Sequence, residues 1–410
     1  MQPQNTNSEE LAYYKARYKV AQYKLDIFHL FIERSLLLLK EGGLLSFITP
    51  GTFITNNYTI NLRRFILENA KINYLMTIPD GVFEDASVDN AVFCLTKTSN
   101  ASLRALHDLL FIEGMTSGFS LREKQRFNVQ QSFFENNEGL IFRPALTNEF
   151  AGLEASFLKS SGFLGDIARV NFGMQLRHRK KYPGDVISGE PARSAKDYRP
   201  CLTGKSIQKF NTLYGNLFCF FNKEAQMGGC WDEEIQFAKE KVIVRQVGAY
   251  PIASVDYKGY CCLNTVFMIK SILKDLCNYY LCGILNSRAI SFFWKNKYSD
   301  FKDTFPKIKG SYLQKLPIPK ADTAQQKQVK TLVEKLIGLN LQISGELTDT
   351  KKQVLINARD STELELNETV YDLYKFSKNE KIIIENFFQK NTGNTSLITD
   401  CGTEHLEELF

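Results

Sequence analysis

Charged side chains of one sign crowded into short stretches are where this sequence could do chemistry. Arg177, Arg179, Lys180 and Lys181 cluster around His178, and Arg193, Lys196, Arg199, Lys205 and Lys209 follow. A second stretch carries Lys295, Lys297, Lys302, Lys307 and Lys309 among Trp294, Tyr298, Phe301 and Phe305. From Ala168 to Phe210 ten basic residues stand against three acidic ones, and from Leu281 to Lys320 eight stand against two. The whole chain is only +6, so the remainder is net acidic. Two basic segments on an acidic remainder imply a surface for a polyanion, with solvated surface charge as the bland alternative. Lysine acts as a point charge on a phosphate, whereas the arginine fork can pair with a guanine edge. Arg245 ends the apolar run Lys241–Val244 and reads equally as a base reader or a strand-end ion pair. The aromatics of the second stretch fit a core better than a stacking surface.

Other chemistry is excluded by spacing. No Gly-x-Gly-x-x-Gly follows an apolar strand, and no Gly-x-Ser-x-Gly elbow occurs. Thr203-Gly204-Lys205-Ser206 resembles the end of a phosphate-binding loop, but Arg199 stands where its first glycine belongs. The nine cysteines form no Cys-x-x-Cys pair, and the four histidines are scattered, so no metal is expected. Asp232, Glu234, Glu240 and Lys241 could serve a nuclease, but at generic spacing they fit a solvated face.

These residues need elements to hold them. With 410 residues, 44% of them hydrophobic and 23% charged, the chain is long enough for two or three domains and too apolar for disorder. The apolar stretch Ser35–Leu39 is far below the ~20 residues of a membrane span. The polar segment Met1–Glu10 lacks the features of a signal peptide, so a cytoplasmic location is expected. Residues 26–40 have helical periodicity stopped by Gly42-Gly43, and Leu44–Ile48 reads as a strand buried on both faces. A helix near 59–69 and strands at 72–78 and 90–96 follow, the order of half a doubly wound sheet. Residues 101–160, mixed and poorly periodic, read as a linker with some structure of its own. Beyond Gly165, short runs at 216–221, 241–245 and 260–269 predict strands, residues 275–294 one helix, and 325–343 and 364–389 a helical tail.

The strings Leu25–Glu33 and Leu36–Pro50 closely resemble the segment that follows the catalytic motif in TaqI-like amino-methylating adenine DNA methyltransferases. Tyr198–Ile207, Lys241–Arg245, Gly283–Ser287 and Leu316–Pro319 look like that family's target-recognition domain, and Val370–Tyr374 like the end of its modification-restriction polypeptides. The resemblance implies an α/β plus α+β protein. Residues 1–100 would form the second half of a Rossmann-like methyltransferase sheet and 101–160 a linker. Residues 161–320 would form a β-rich α+β target-recognition domain and 321–410 a helical C-terminal tail. It implies double-stranded DNA as partner and S-adenosylmethionine as cofactor. The family's Asn/Asp-Pro-Pro-Tyr/Phe motif is absent, since no Pro-Pro pair exists. No catalytic residue is therefore assigned, and a missing N-terminal methylase segment or subunit is expected to supply that motif and the cofactor loop. By the same resemblance Phe31 matches a position lining the cofactor's adenine pocket, with an ordinary core phenylalanine as its alternative. Phe93 matches the region against the flipped adenine, with core packing as its alternative. Within the recognition domain, the basic segments and the strand-end arginine give as candidate DNA contacts Arg177, Arg179, Lys180, Lys181, Arg193, Lys205, Lys209, Arg245, Lys297 and Lys302. A specificity subunit that docks a separate methylase through 325–343 is the rival reading.

Overall fold

The computed structural model describes residues 8–22, 25–79, 89–117, 120–143, 148–192, 196–298, 306–345 and 348–392. It divides the chain into two units, Met1–Ala145 and Leu146–Phe410.

In the first unit, helix α1 (Ser8–Arg17) precedes α2 (Ile27–Leu38). α2 starts at a capping box in which the Asp26 amide donates to His29 Nδ1 at 3.3 Å. Its buried Glu33 is satisfied by the Lys19 and Val20 amides at 3.1 and 2.9 Å, which ties the preceding segment to the helix. Gly42, at φ +78, makes the left-handed turn into β1 (Leu44–Pro50). Then come α3 (Ile60–Asn69), β2 (Ala70–Ile78), β3 (Asn90–Lys97), α4 (Ala101–Ala105), β4 (Asp108–Ser117), β5 (Ser120–Gln130) and α5 (Ser132–Asn136). The sheet order is β1-β3-β2-β4-β5. β3, later in sequence, lies between β1 and β2 and is antiparallel to both, whereas β2 and β4 are parallel. Segment 101–160, expected as a linker, holds the β4–β5 hairpin that widens this sheet, with Leu109 and Phe111 fully buried. Buried Gln131 seals its end, accepting from the Ile72 amide and donating to the Ala70 carbonyl at 2.9 Å each. Weak alternation in a strand with several charged residues hid this hairpin.

β1 is an edge strand among the described residues. Leu45 and Thr49 point into the core, but Leu44 and Ile48 are exposed, so β1 is not covered on both faces as its apolar run suggested.

The second unit opens with α6 (Asn148–Lys159), β6 (Ser161–Phe163), α7 (Leu164–Ile167) and β7 (Ala168–Phe172). Next come β8 (Val186–Ser188), β9 (Tyr198–Leu202), β10 (Ile207–Gln208), β11 (Asn211–Thr212), β12 (Leu217–Phe220) and α8 (Glu233–Gln236). After these lie β13 (Lys241–Arg245), β14 (Ala253–Asp256), β15 (Cys261–Cys262) and β16 (Val266–Ser271). Helices dominate the rest: α9 (Asn278–Leu285), α10 (Arg288–Lys297), α11 (Gly310–Leu313), the short strand β17 (Pro317–Pro319), α12 (Thr323–Ile343), α13 (Asp349–Tyr374) and α14 (Lys378–Thr392). Two four-stranded sheets result, β14-β13-β16-β7 and β15-β9-β12-β8.

The helix expected at 275–294 is two helices. The backbone turns extended at Ser287, while the Asn286 side chain brackets Ala253, accepting from its amide and donating to its carbonyl at 2.9 Å each. Ser287 then caps α10. The run 260–269 is likewise broken, because Thr265 turns to accept from the Gly204 amide at 2.8 Å. α12 and α13 pack directly on α9. A Cβ at Gly283 would come within 2.6 Å of Val329 Cγ1, so only glycine allows this approach. Tyr280 and Tyr374 donate to the Pro319 and Pro317 carbonyls at 2.6 Å each. The helical tail therefore shares one core with the β-rich part, rather than trailing from it.

Candidate nucleic-acid interface

The geometry of the β15-β9-β12-β8 sheet decides which basic residues can act together. β12 is antiparallel to both β8 and β9, and β15 is parallel to β9. β8, β9 and β15 therefore run in one direction, and the segments that enter them reach the same sheet edge. Those segments carry Arg179, Lys180 and Lys181 before β8, Lys196 before β9 and Lys258 before β15, while the exit of β12 brings Lys223; all six are exposed. Hydrogen bonds stitch the edge together. Tyr198 Oη donates to the Gly184 carbonyl at 2.7 Å, the Phe221 amide to the Asp197 carbonyl at 2.8 Å, and Asn222 Nδ2 to Asp197 Oδ2 at 3.1 Å.

The loop before β8 is the densest part of this edge. The Lys181 and Tyr182 amides both donate to the His178 carbonyl at 2.9 Å, which closes a tight turn. Arg177 does not join the exposed cations. Its Nε and Nη2 reach the two oxygens of Asp185 at 3.0 and 2.6 Å, and its guanidinium lies 4.2 Å from the Tyr182 ring centroid. Asp185 itself is buried. Arg177 is thus a clamp inside the loop, and Arg179, Lys180 and Lys181 are what the loop presents.

The remaining basic residues do not meet there. Lys205 is exposed but follows the exit of β9, at the opposite edge of the sheet. Lys209 pairs with Glu363 of α13, its chain lying beside the Phe210 ring. Lys297 pairs with Glu154 of α6 at 2.8 Å. Arg245 is half-buried at the end of β13, paired in register with Val266. Arg193 and Lys302 lie outside the described residues. Lys223 and Lys258 were missed because only strand direction brings them to the edge, and no sequence spacing encodes that.

In the first unit Phe31 is 60% exposed on α2. It is not the ordinary core phenylalanine of the alternative. Phe93 is 1% exposed, edge-on to Phe53 and Phe47 at 5.4 and 6.3 Å, so it cannot stack on a base without opening the core. Arg63, fully buried, holds the loop after β1. Its Nη1 donates to the Phe53 and Asn56 carbonyls at 2.6 and 2.8 Å, and its Nη2 to the Gly139 carbonyl at 2.8 Å. Among the described residues no group of His, Cys, Asp and Glu could hold a metal, and no helix is long and apolar enough to cross a membrane. Cys201, Cys219 and Cys261 are buried together, and burial pushes the Cys262 thiol up to about 12, so these thiols are packing groups rather than nucleophiles.

Two segments of the chain match known families. Residues 199–318 match the TaqI-like C-terminal specificity domain, and residues 1–83 match the Eco57I restriction-modification methylase. The chain is related to type II restriction-modification enzymes. It is 24% identical over 349 residues to RM.MjaORFECS2P of Methanocaldococcus jannaschii, named for a type II restriction enzyme and methyltransferase, a match covering 82% of this chain and 28% of that protein. It is 36% identical over 93 residues to RM.Eco57I of Escherichia coli, a type II restriction enzyme and methyltransferase, covering 22% of this chain and 9% of that one. With the type II methyltransferase M.TthHB8I of Thermus thermophilus it shares 23% identity over 326 residues, 74% of this chain and 64% of the relative. The chain therefore spans less than two thirds of each of these relatives. Among solved structures, the type IIL restriction-modification enzyme MmeI in complex with DNA shares the fold at TM-score 0.55 and 10% identity, over 95% of this chain and 55% of that one.

Proposed function

We propose that this chain carries the DNA target recognition of an S-adenosylmethionine-dependent adenine-N6 methyltransferase in a restriction-modification system. The observation that carries the reading is the basic sheet edge of the second unit: Lys223 and Lys258 lie within residues 199–318, the segment akin to a specificity domain, and Arg179, Lys180, Lys181 and Lys196 just precede it. Arg179, Lys180, Lys181, Lys196, Lys223 and Lys258 contact the phosphates of duplex DNA, where point charges on a rigid frame fix register. Arg245 stands apart as a candidate base contact.

The first unit supports the reading of residues 1–100 as the second half of a methyltransferase sheet: β3 inserted antiparallel between β1 and β2 suits the closing strands of such a sheet. Methyl transfer requires a further segment, on the same polypeptide or another, that supplies the Asn/Asp-Pro-Pro-Tyr/Phe motif and the glycine loop. That segment pairs with the open edge of β1 and covers Leu44 and Ile48. This chain's own residues fit the cofactor only in part: the exposed Phe31 ring can pack on its adenine, and the further segment supplies the glycine loop. S-adenosylmethionine, when bound, supplies the methyl group; this chain supplies one wall and the grip on DNA.

The test is binding of the chain to duplex DNA at several salt concentrations, with labelled S-adenosylmethionine assayed in parallel. Salt-sensitive DNA binding without methyl transfer is expected. Methyl transfer by the chain alone, or no DNA binding, would contradict the reading.

A further inference from the structure

Two carboxylates stand near Arg177, and they are built differently. Glu224 is exposed beside the exit of β12 and acts on Arg177 only through space. Asp185 is 3% exposed and holds the same guanidinium by two hydrogen bonds. Simple electrostatics assigns both the same effect on a polyanion, because an acid beside a phosphate-binding surface repels it. Geometry separates them. The charge of Asp185 is already neutralised by Arg177, and a bidentate pair of this kind fixes the orientation of the guanidinium plane. That plane lies against Tyr182, the residue whose amide closes the His178 turn, and the Asp185 amide donates back to the Tyr182 carbonyl at 3.2 Å. Tyr198 fastens the far side of the loop through Gly184. The side-chain tethers of the turn carrying Arg179, Lys180 and Lys181 thus converge on Asp185 and its neighbour Gly184, beside the turn's own backbone bonds to the His178 carbonyl.

We propose that Asp185 is a positioning residue for DNA binding: the Asp185–Arg177–Tyr182 clamp pre-orders the basic turn, so removing this acid weakens the grip on a polyanion. The inference rests on the DNA-binding reading above and adds the sign of one residue's effect. Without the clamp, three long side chains and their turn must be ordered by the DNA itself, at a cost that lowers affinity by about tenfold.

The experiment uses the full 410-residue chain and a fluorescein-labelled duplex of about 30 base pairs of mixed sequence, followed by anisotropy across a salt series. Asp185→Asn is expected to weaken binding about tenfold, to lower the salt dependence, and to expose the turn to trypsin, while the unfolding midpoint stays near the parent's. Glu224→Gln is expected to bind as well as the parent or better. Asp185→Asn binding as tightly as the parent, while the triple variant Arg179→Ala/Lys180→Ala/Lys181→Ala binds weakly, overturns the clamp alone. A triple variant with parental affinity overturns the loop's role in DNA binding and the clamp with it. If Asp185→Asn fails to fold, Arg177→Gln/Asp185→Asn, which keeps the net charge and an amide pair, decides: weakened binding supports the clamp and parental binding overturns it.

Discussion

Replacing Lys241 by Met should cost the second unit about 3–5 kcal/mol, and the structure says why. Lys241 and Asp256 are each 1% exposed and meet at 2.7 Å. The ammonium also donates to the carbonyls of Gln236 at 2.7 Å, Tyr260 at 2.9 Å and Ala238 at 3.1 Å. The carboxylate accepts the Lys258 and Gly259 amides at 3.0 Å each and the Tyr260 amide at 2.8 Å. Taking away the ammonium strands a buried charge and frees three carbonyls, in a domain whose whole stability is expected to be about 5–15 kcal/mol. Arginine cannot rescue it, since a planar fork does not fit a site made for a compact charge. Asp256→Ala should cost a similar amount, and the double variant less than the sum, with a coupling of about 2 kcal/mol or more. Both tryptophans, Trp231 and Trp294, lie in this unit, so tryptophan fluorescence during urea unfolding reports on it alone. A loss below about 1 kcal/mol for Lys241→Met, or strict additivity in the cycle, would refute the reasoning.

Four further outcomes are expected. Burial pushes the His29 imidazole down to about 4, against the small opposing pull of Asp26, so the folded first unit resists a proton that the unfolded chain accepts near 6.5. Its stability should therefore hold above pH 6.5 and fall by about 3 kcal/mol as pH drops towards 4. Hydrogen exchange at α2 should show this fall, and His29→Gln, which keeps the capping box, should abolish it. Gly283→Ala should destabilise the second unit by about 1–3 kcal/mol through overpacking against Val329, with Val329→Ala restoring most of the loss in urea titrations. The chain should self-associate through β1 and its exposed leucine and isoleucine, with Ile48→Lys dispersing it in light scattering; a monodisperse parent would count against the open edge. Adding Arg177→Ala to the triple variant of the basic turn should leave the salt slope where the triple variant put it, because Arg177 is already paired.

Local signals carried the elements that a single residue pattern can specify. Helical periodicity and the Gly42-Gly43 stop located α2, and the apolar runs located β1, β2, β3 and β13. What the pattern could not carry was the choice made by neighbours. The helix at 278–297 breaks at Ser287, which caps α10 beside an Asn286 side chain bound to Ala253, and residues 108–130 form a hairpin that covers the free side of β2. The basic loop before β8 was visible as composition, but composition did not show that Asp185, eight residues on, removes Arg177 from the exposed set. Lys205 and Lys209 looked continuous with that loop in sequence. The strand reversals through β9 carry them to the far edge and, for Lys209, to Glu363.

A grip on DNA by one edge of the β15-β9-β12-β8 sheet is tested most directly by comparing the two edges. Duplex affinity would be measured from low to moderate salt for the parent, for Arg179→Ala/Lys180→Ala/Lys181→Ala, and for Lys205→Ala at the opposite edge. Each lost phosphate contact lowers the slope of log affinity against log salt by about 0.9. The slope is expected to fall by about 2–3 for the triple variant and to stay unchanged for Lys205→Ala. Equal slopes for all three proteins, or a loss confined to Lys205→Ala, would contradict a grip by that edge.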